Sequence, residues 1–266
     1  MPNTVLLDVA DGVATLTLNR PDAVNALSVE MMQDLAGAAR ELTHCKDAAV
    51  VVITGAGDHF MAGGDIKDFA RHLNLSRDGR LSTFRAMIEQ HINPTVEMLQ
   101  SLPQPVVAKV RGACAGFGLS LMLGCDLAVC ADDAVFTTAY AGIALSGDGG
   151  ASYFLPRVVG RRKAAELLLL AERLDAAEAL RLGLVTRVTP AADLDRETAA
   201  LVARLQAGPR HAYSEIKSLL AASHDNQLES QLQSEAEAFS RCAASADFDE
   251  GVSAFLEKRK PAFRGG

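Results

Sequence analysis

Two short apolar runs constrain this chain more than anything else in it. Ala49-Val50-Val51-Val52-Ile53-Thr54 is continuously apolar, and Gly55-Ala56-Gly57 stops it. Pro105-Val106-Val107-Ala108-Lys109-Val110 is nearly so. A run of this length bounded by turn residues reads as a buried strand. Val13 to Leu18 alternates with period two and reads as a third strand. Shorter strands are expected at Leu127–Cys130 and Val135–Thr138. Helices are expected between them, from Val29 to Leu42 behind a Ser28 N-cap and from Leu81 to Leu102. Strands separated by helices imply parallel pairing with crossovers, an α/β fold.

The pattern changes after about Pro190. Strands stop, and helices are expected at Leu194–Gln206, Pro209–Ser223, Gln227–Ala244 and Phe248–Glu257. The chain therefore divides into a core, 1–190, and a C-terminal helical region, 191–266. That tail carries Leu194, Leu201, Leu205, Ile216, Leu219, Leu220, Phe239 and Phe255, and such apolar residues need a partner surface, either the core or another subunit. In the core, Asp175-Ala-Ala-Glu178 reads as a capping box.

Several functions are disfavoured by composition. A net charge of −7 without a basic stripe argues against nucleic acid. The five cysteines form no CxxC, which fits reduced thiols in a cytosol-like compartment. The six histidines lack HxxxH or HExxH spacing, so no metal site is expected. The segment MPNTVLLDVADG contains acids and no basic region, so it does not read as a signal peptide. No apolar run is long enough to span a membrane.

Two glycine loops carry the candidate chemistry: His59-Phe-Met-Ala-Gly-Gly-Asp-Ile-Lys-Asp-Phe69 and Arg111-Gly-Ala-Cys-Ala-Gly-Phe-Gly118. Each stands where strand gives way to helix, so backbone amides can point at a ligand unobstructed. A third stretch, Ile143 to Phe154, sets the single carboxylate Asp148 among glycines. Asp-Gly reads first as a turn.

Together these pieces resemble the crotonase, or enoyl-CoA hydratase/isomerase, superfamily. The resemblance runs from about Val9 to Phe263. It is carried by Leu18-Asn19-Arg20-Pro21 with Asn25-Ala26-Leu27, Ala62-Gly63-Gly64-Asp65-Ile66 and Arg111 to Gly118, followed by Leu155-Pro156-Arg157-Val158-Val159-Gly160, Ala179 to Val185 and Phe255 to Arg259. It implies a spiral of ββα units with a C-terminal helical trimerisation region, and hence a homotrimer or a dimer of trimers. It implies an acyl-CoA thioester ligand, with coenzyme A part of the substrate and no further cofactor, and a cytoplasmic enzyme.

The resemblance places two carbonyl-polarising amides at Gly64 and Phe117, where family members often have glycine at the second position. It places coenzyme A between Arg20–Ala26 and the 62–68 loop, at Ala23, Ala62, Gly64, Asp65 and Ile66. The two glutamates of the family's hydratases fall on Ser120 and Tyr140, so both acids are absent. A third acid position, used by other branches, falls on Asp148. Its neighbours Ile143, Ala144, Leu145, Ala151 and Phe154 are apolar, which would raise its pKa and suit it to act as a base.

One such acid suffices to move a double bond from a 3-enoyl to a 2-enoyl thioester, with Ser120 and Tyr140 shaping the acyl pocket. The alternatives are a hydratase with atypical acids, an aspartate-nucleophile hydrolase or dehalogenase, or a non-catalytic acyl-CoA binder. The nucleophilic reading wants a tryptophan, and the chain has none. It also wants a histidine, and His91 is about two residues out of register.

Overall fold

The computed structural model describes residues 3–265. Val5–Ala10 (β1) and Val13–Leu18 (β2) form an antiparallel hairpin. Its two-residue turn, Asp11-Gly12, has positive φ at both positions, 50° and 75°. Such a turn matches the twist of the strands it joins. Val29–His44 (α1) follows, and the Ser28 hydroxyl accepts the Met31 amide at 3.2 Å. Met31, Met32, Leu35, Ala39 and Leu42 turn one helix face inward.

Val50–Gly55 (β3) leads to Ile66–Arg71 (α2), Arg77–Met87 (α3) and Asn93–Gln100 (α4). The single helix expected over 81–102 is thus longer at its start and interrupted. A π-turn, Ile88–Ile92, joins α3 to α4, and the Asn93 amide reaches back to the Ile88 carbonyl. Pro94 comes next. Its ring cannot donate and would press on the carbonyl four residues back, and the extra residue of a π-turn accommodates both defects.

Then come Val106–Val110 (β4), Ala113–Ala115 (β5), Phe117–Leu123 (α5), Leu127–Ala131 (β6) and Val135–Thr137 (β7). Ala151–Leu170 (α6) is two helical stretches joined at a kink, where Gly160 has the non-helical φ 76° and ψ 157°. Leu174–Asp175 (β8), Ala176–Arg181 (α7) and Arg187–Thr189 (β9) close the core. The Asp175 carboxylate caps α7 through the Glu178 amide at 2.8 Å.

The main sheet has the order β1-β2-β3-β4-β6-β9, and every pair after the hairpin is parallel. A small second sheet, β5-β7-β8, lies at the glycine loops. The apolar run of β3 is sided: Val51 and Ile53 enter the main core with Leu16, Leu35, Ala108 and Phe136, while Val50 and Val52 meet the other face.

That other face is covered by Leu194–Gln206 (α8), through Leu194, Leu201 and Val202. The first helix after Pro190 therefore packs on its own sheet, and Leu194 and Leu201 are core residues, not available to another subunit. The remaining helices, Arg210–Ala222 (α9), Leu228–Ala243 (α10) and Ala246–Leu256 (α11), leave Ile216, Leu220, Phe239 and Phe255 exposed. Among the described residues no helix is long and apolar enough to cross a membrane.

Candidate active site

The floor of the site is built by the two glycine loops. A Met61–Cys114 bridge and a Leu27–Gly64 bridge tie them together and to the segment after β2. Asn25 locks the assembly: its side chain accepts the Arg20 amide and donates to the carbonyls of Ala56 and His59 at 2.9 and 2.7 Å. Gly116, at φ 52° and ψ −124°, turns β5 into α5 in a conformation that L side chains rarely adopt.

Among the described residues the amides of Gly64 and Phe117 find no acceptor, whereas those of Ala62, Asp65, Ala115 and Gly116 are all paired. Phe117 is the first residue of α5, so its amide also stands at the positive end of that helix. Both residues line one cavity of about 350 Å3.

The cavity wall is apolar. Leu27 comes from the segment just before α1 and Met32 from its first turn, Ile66 and Phe69 from α2, and Phe84, Met87 and Ile88 from α3 and the π-turn. Phe69 and Phe84 meet edge to face, with ring centroids 5.4 Å apart. The spacing of Phe84, Met87 and Ile88, three and four residues apart, is the signal by which the sequence could have pointed to that wall.

Opposite lies the loop that holds Asp148. Gly149, at φ 59°, has no room for a side chain, because a Cβ would come within 2.7 Å of the Phe117 ring. The loop is thus pressed against the first turn of α5. The Ala151 amide donates to the Asp148 carbonyl at 3.1 Å, so the turn reading holds, and Asp148 is also among the residues that line the cavity. Tyr140 begins a short 3-10 turn between Ala139 and Ala144, both left-handed at φ 58° and 59°. Left-handed backbone at a residue other than glycine is strained.

The Tyr140 hydroxyl donates to Asp148 Oδ1 at 2.8 Å and lies 2.9 Å from Ser120 Oγ. Burial pushes the Asp148 carboxyl above its ordinary value, with the Tyr140 bond acting against the shift. Burial, and then the Asp148 charge, push Tyr140 well up, so its hydroxyl stays protonated.

Of the residues the sequence singles out, Ala62, Gly64, Ile66, Phe117, Tyr140 and Asp148 line the cavity. Three do not. Ser120 is fully buried behind Tyr140. Asp65 caps α2 and pairs with Arg20 at 2.9 Å, so its carboxylate is used within the fold. Ala23 lies in a 3-10 turn beside the loop, where the Val24 carbonyl accepts the Ala62 amide. His91 lies in the π-turn and is not part of the lining. Among the described residues no group of His, Cys, Asp and Glu could hold a metal ion.

A family model described as enoyl-CoA hydratase/isomerase matches residues 8–266. The chain is 36% identical to the 1,2-epoxyphenylacetyl-CoA isomerase of Escherichia coli over 100% of both chains. It is 31% identical to the trans-2-decenoyl-(acyl-carrier-protein) isomerase of Streptococcus mutans over 98% of each. A crystal structure of an enoyl-CoA hydratase from Mycobacterium smegmatis superposes with a TM-score of 0.88 at 35% identity, covering 97% of this chain and 98% of that one.

Proposed function

The chain belongs to the enoyl-CoA hydratase/isomerase family and has its α/β crotonase fold, and on that premise we propose that it shifts a double bond in an acyl-CoA thioester, from the 3-enoyl to the 2-enoyl position. One observation carries the choice: among the described residues lining the cavity, Asp148 is the only carboxylate. Syn hydration calls for carboxylates that orient and deprotonate water and deliver a proton to carbon 2. In the positions where the resemblance puts those acids stand Ser120 and Tyr140, whose protons are not lost near neutral pH.

Isomerisation needs one base. Asp148 takes the acidic proton from carbon 2, and the electron pair spreads into a dienolate. The thioester oxygen then carries negative charge, which the free amides of Gly64 and Phe117 receive. Asp148 returns the same proton to carbon 4, the double bond settles between carbons 2 and 3, and no water is consumed. Amides fixed in advance at such an oxygen stabilise the transition state more than the ground state. The apolar wall supports an acyl chain or ring. The cavity offers no histidine among its described lining residues to activate water for a covalent route.

The names of the similar proteins include both reactions, so the test is chemical. Purified protein is given 3-enoyl-CoA and 2-enoyl-CoA, and the products are identified by mass and NMR. Brisk isomerisation with slow or no hydration is expected. Asp148→Asn should lower isomerisation by roughly 10²–10⁴-fold, the usual contribution of a placed base, with ligand affinity little changed. A fast hydratase indifferent to Asp148→Asn overturns the reading.

A further inference from the structure

We propose that Tyr140 and Ser120 are positioning residues for Asp148: a pair of hydroxyls in series that anchors Oδ1 and leaves Oδ2 as the oxygen that takes up and returns the proton. The inference rests on the isomerase reading above and adds which oxygen acts and what holds it.

Hydrogen-bond directions follow from chemistry. An ionised carboxylate can only accept, so the Tyr140 proton points to Asp148 Oδ1 at 2.8 Å. Ser120 then donates its own proton to Tyr140 at 2.9 Å, in preference to the Gly116 carbonyl at 3.4 Å. Both hydroxyls are buried, Ser120 at 1% and Tyr140 at 8% exposure. A buried hydroxyl without a partner is costly, and the series has its shortest bonds when it ends on the carboxylate, because the other acceptors in reach, the main-chain carbonyls of Gly116 and Asp148, both lie at 3.4 Å. Phenylalanine and alanine would fill the same space with no polar group to satisfy.

The arrangement works in both protonation states. When Oδ2 carries the proton, Oδ1 is still an acceptor, and the bond from Tyr140 persists. The carboxyl therefore does not rotate away between removal from carbon 2 and delivery to carbon 4. Other charges do not perturb it: α5 has no ionisable side chain, α2 and α3 present Ile66, Phe69, Phe84 and Met87, and on α6 Arg157 stacks on the Tyr153 ring at 3.5 Å.

The test is the pH dependence of kcat/KM for a 3-enoyl-CoA in Tyr140→Phe, Ser120→Ala and the double variant. Loss of the donor to Oδ1 raises the proton affinity of Asp148, so the acid limb of the Tyr140→Phe profile should move to higher pH. Its kcat should fall roughly tenfold, as befits a loosened base, with KM nearly unchanged. Ser120→Ala should shift the limb the same way and less, and it keeps the question open to test if Tyr140→Phe folds poorly. Because Ser120 acts through Tyr140, the double variant should match Tyr140→Phe alone.

An unchanged acid limb and kcat in folded Tyr140→Phe overturn the inference, as do single effects that add. The isomerase reading fails separately, by activity that survives Asp148→Asn.

Discussion

Gly63 and Gly116 meet backbone to backbone: a Cβ built on Gly116 would lie 3.2 Å from the Gly63 Cα. The two glycine loops can approach this closely only because neither has a side chain at this contact. Gly116→Ala would add the clash to a φ of 52° that alanine adopts at a cost. We expect a loss of about 1–3 kcal/mol in urea unfolding. The proposed isomerase activity should fall further than the stability loss accounts for, because the Phe117 amide follows directly on the strained residue.

That amide can be tested in place. Phe117 is the first helical residue of α5, a position where proline is tolerated. Phe117→Pro removes the N–H and the ring, and Phe117→Ala removes the ring alone. The ratio of kcat between the two variants isolates the donor. A reduction of about 10²–10³-fold in Phe117→Pro relative to Phe117→Ala is expected, and equal rates would mean the thioester oxygen lies elsewhere.

The sequence shows the outline of this fold where short-range chemistry decides it. The apolar runs of β3 and β4 and the Ser28 cap are local features and form as read, while of the capping box only the Asp175 half forms, because the Glu178 carboxylate pairs with Arg181. The parts that stay hidden are decided by contacts across the chain. α6 mixes small, charged and apolar residues around Pro156 and Gly160, so no single periodic face announces it. α8 reads as part of a tail, because nothing in its own sequence says that Leu194 and Leu201 will meet Val50 and Val129. In the site, Asp65 lies in the right loop, yet its carboxylate is taken by Arg20, forty-five residues away. The link from Ser120 through Tyr140 to Asp148 is likewise tertiary. The resemblance gave all three positions in advance, and the bonds between them could not be read.

Asp65 should matter for the fold more than for the ligand. Burial acts to raise its carboxyl, but the Arg20 bond and the amides of Lys67 and Asp68 outweigh it, and the carboxyl is held below its ordinary value of 3.8. A depressed acid contributes stability that is present above the unfolded value and is lost as pH falls through the folded one. Asp65→Ala should cost about 2 kcal/mol at pH 7, combining a lost cap with a lost charge-assisted bond. Asp65→Asn, which can still cap, should cost less. In denaturation series between pH 3 and pH 7, the gap between wild type and Asp65→Asn should close toward the acid end.

For Asp148 the sign is opposite. Its folded value is raised above 3.8, so ionising it costs the fold. The cost is absent below the unfolded value, grows as pH rises through the folded value and is constant beyond. Asp148→Asn removes it while keeping an acceptor for Tyr140. The urea midpoint of Asp148→Asn relative to wild type should therefore be higher at pH 7 than at pH 4. A relative midpoint independent of pH would show that the cavity does not disfavour the charge.

The exposed faces of α9 to α11 bear on assembly. Phe255 is 84% exposed, Leu228 74% and Phe239 73%, alongside Ile216 and Leu220. Apolar surface concentrated on adjoining helices marks a contact between proteins more often than a free surface. A homotrimer or a dimer of trimers is the expected outcome, measured by light scattering as three or six times the 28.1 kDa chain. Phe239→Glu should lower that mass at micromolar concentration, because a carboxylate in an apolar contact must be desolvated without a partner. Leu194→Ala supplies the contrast. Leu194 is 0% exposed against the chain's own sheet, so its truncation should cost about 2–5 kcal/mol of stability and leave the assembled mass unchanged. A wild-type protein that runs as a single chain at micromolar concentration would assign the exposed faces to some other partner.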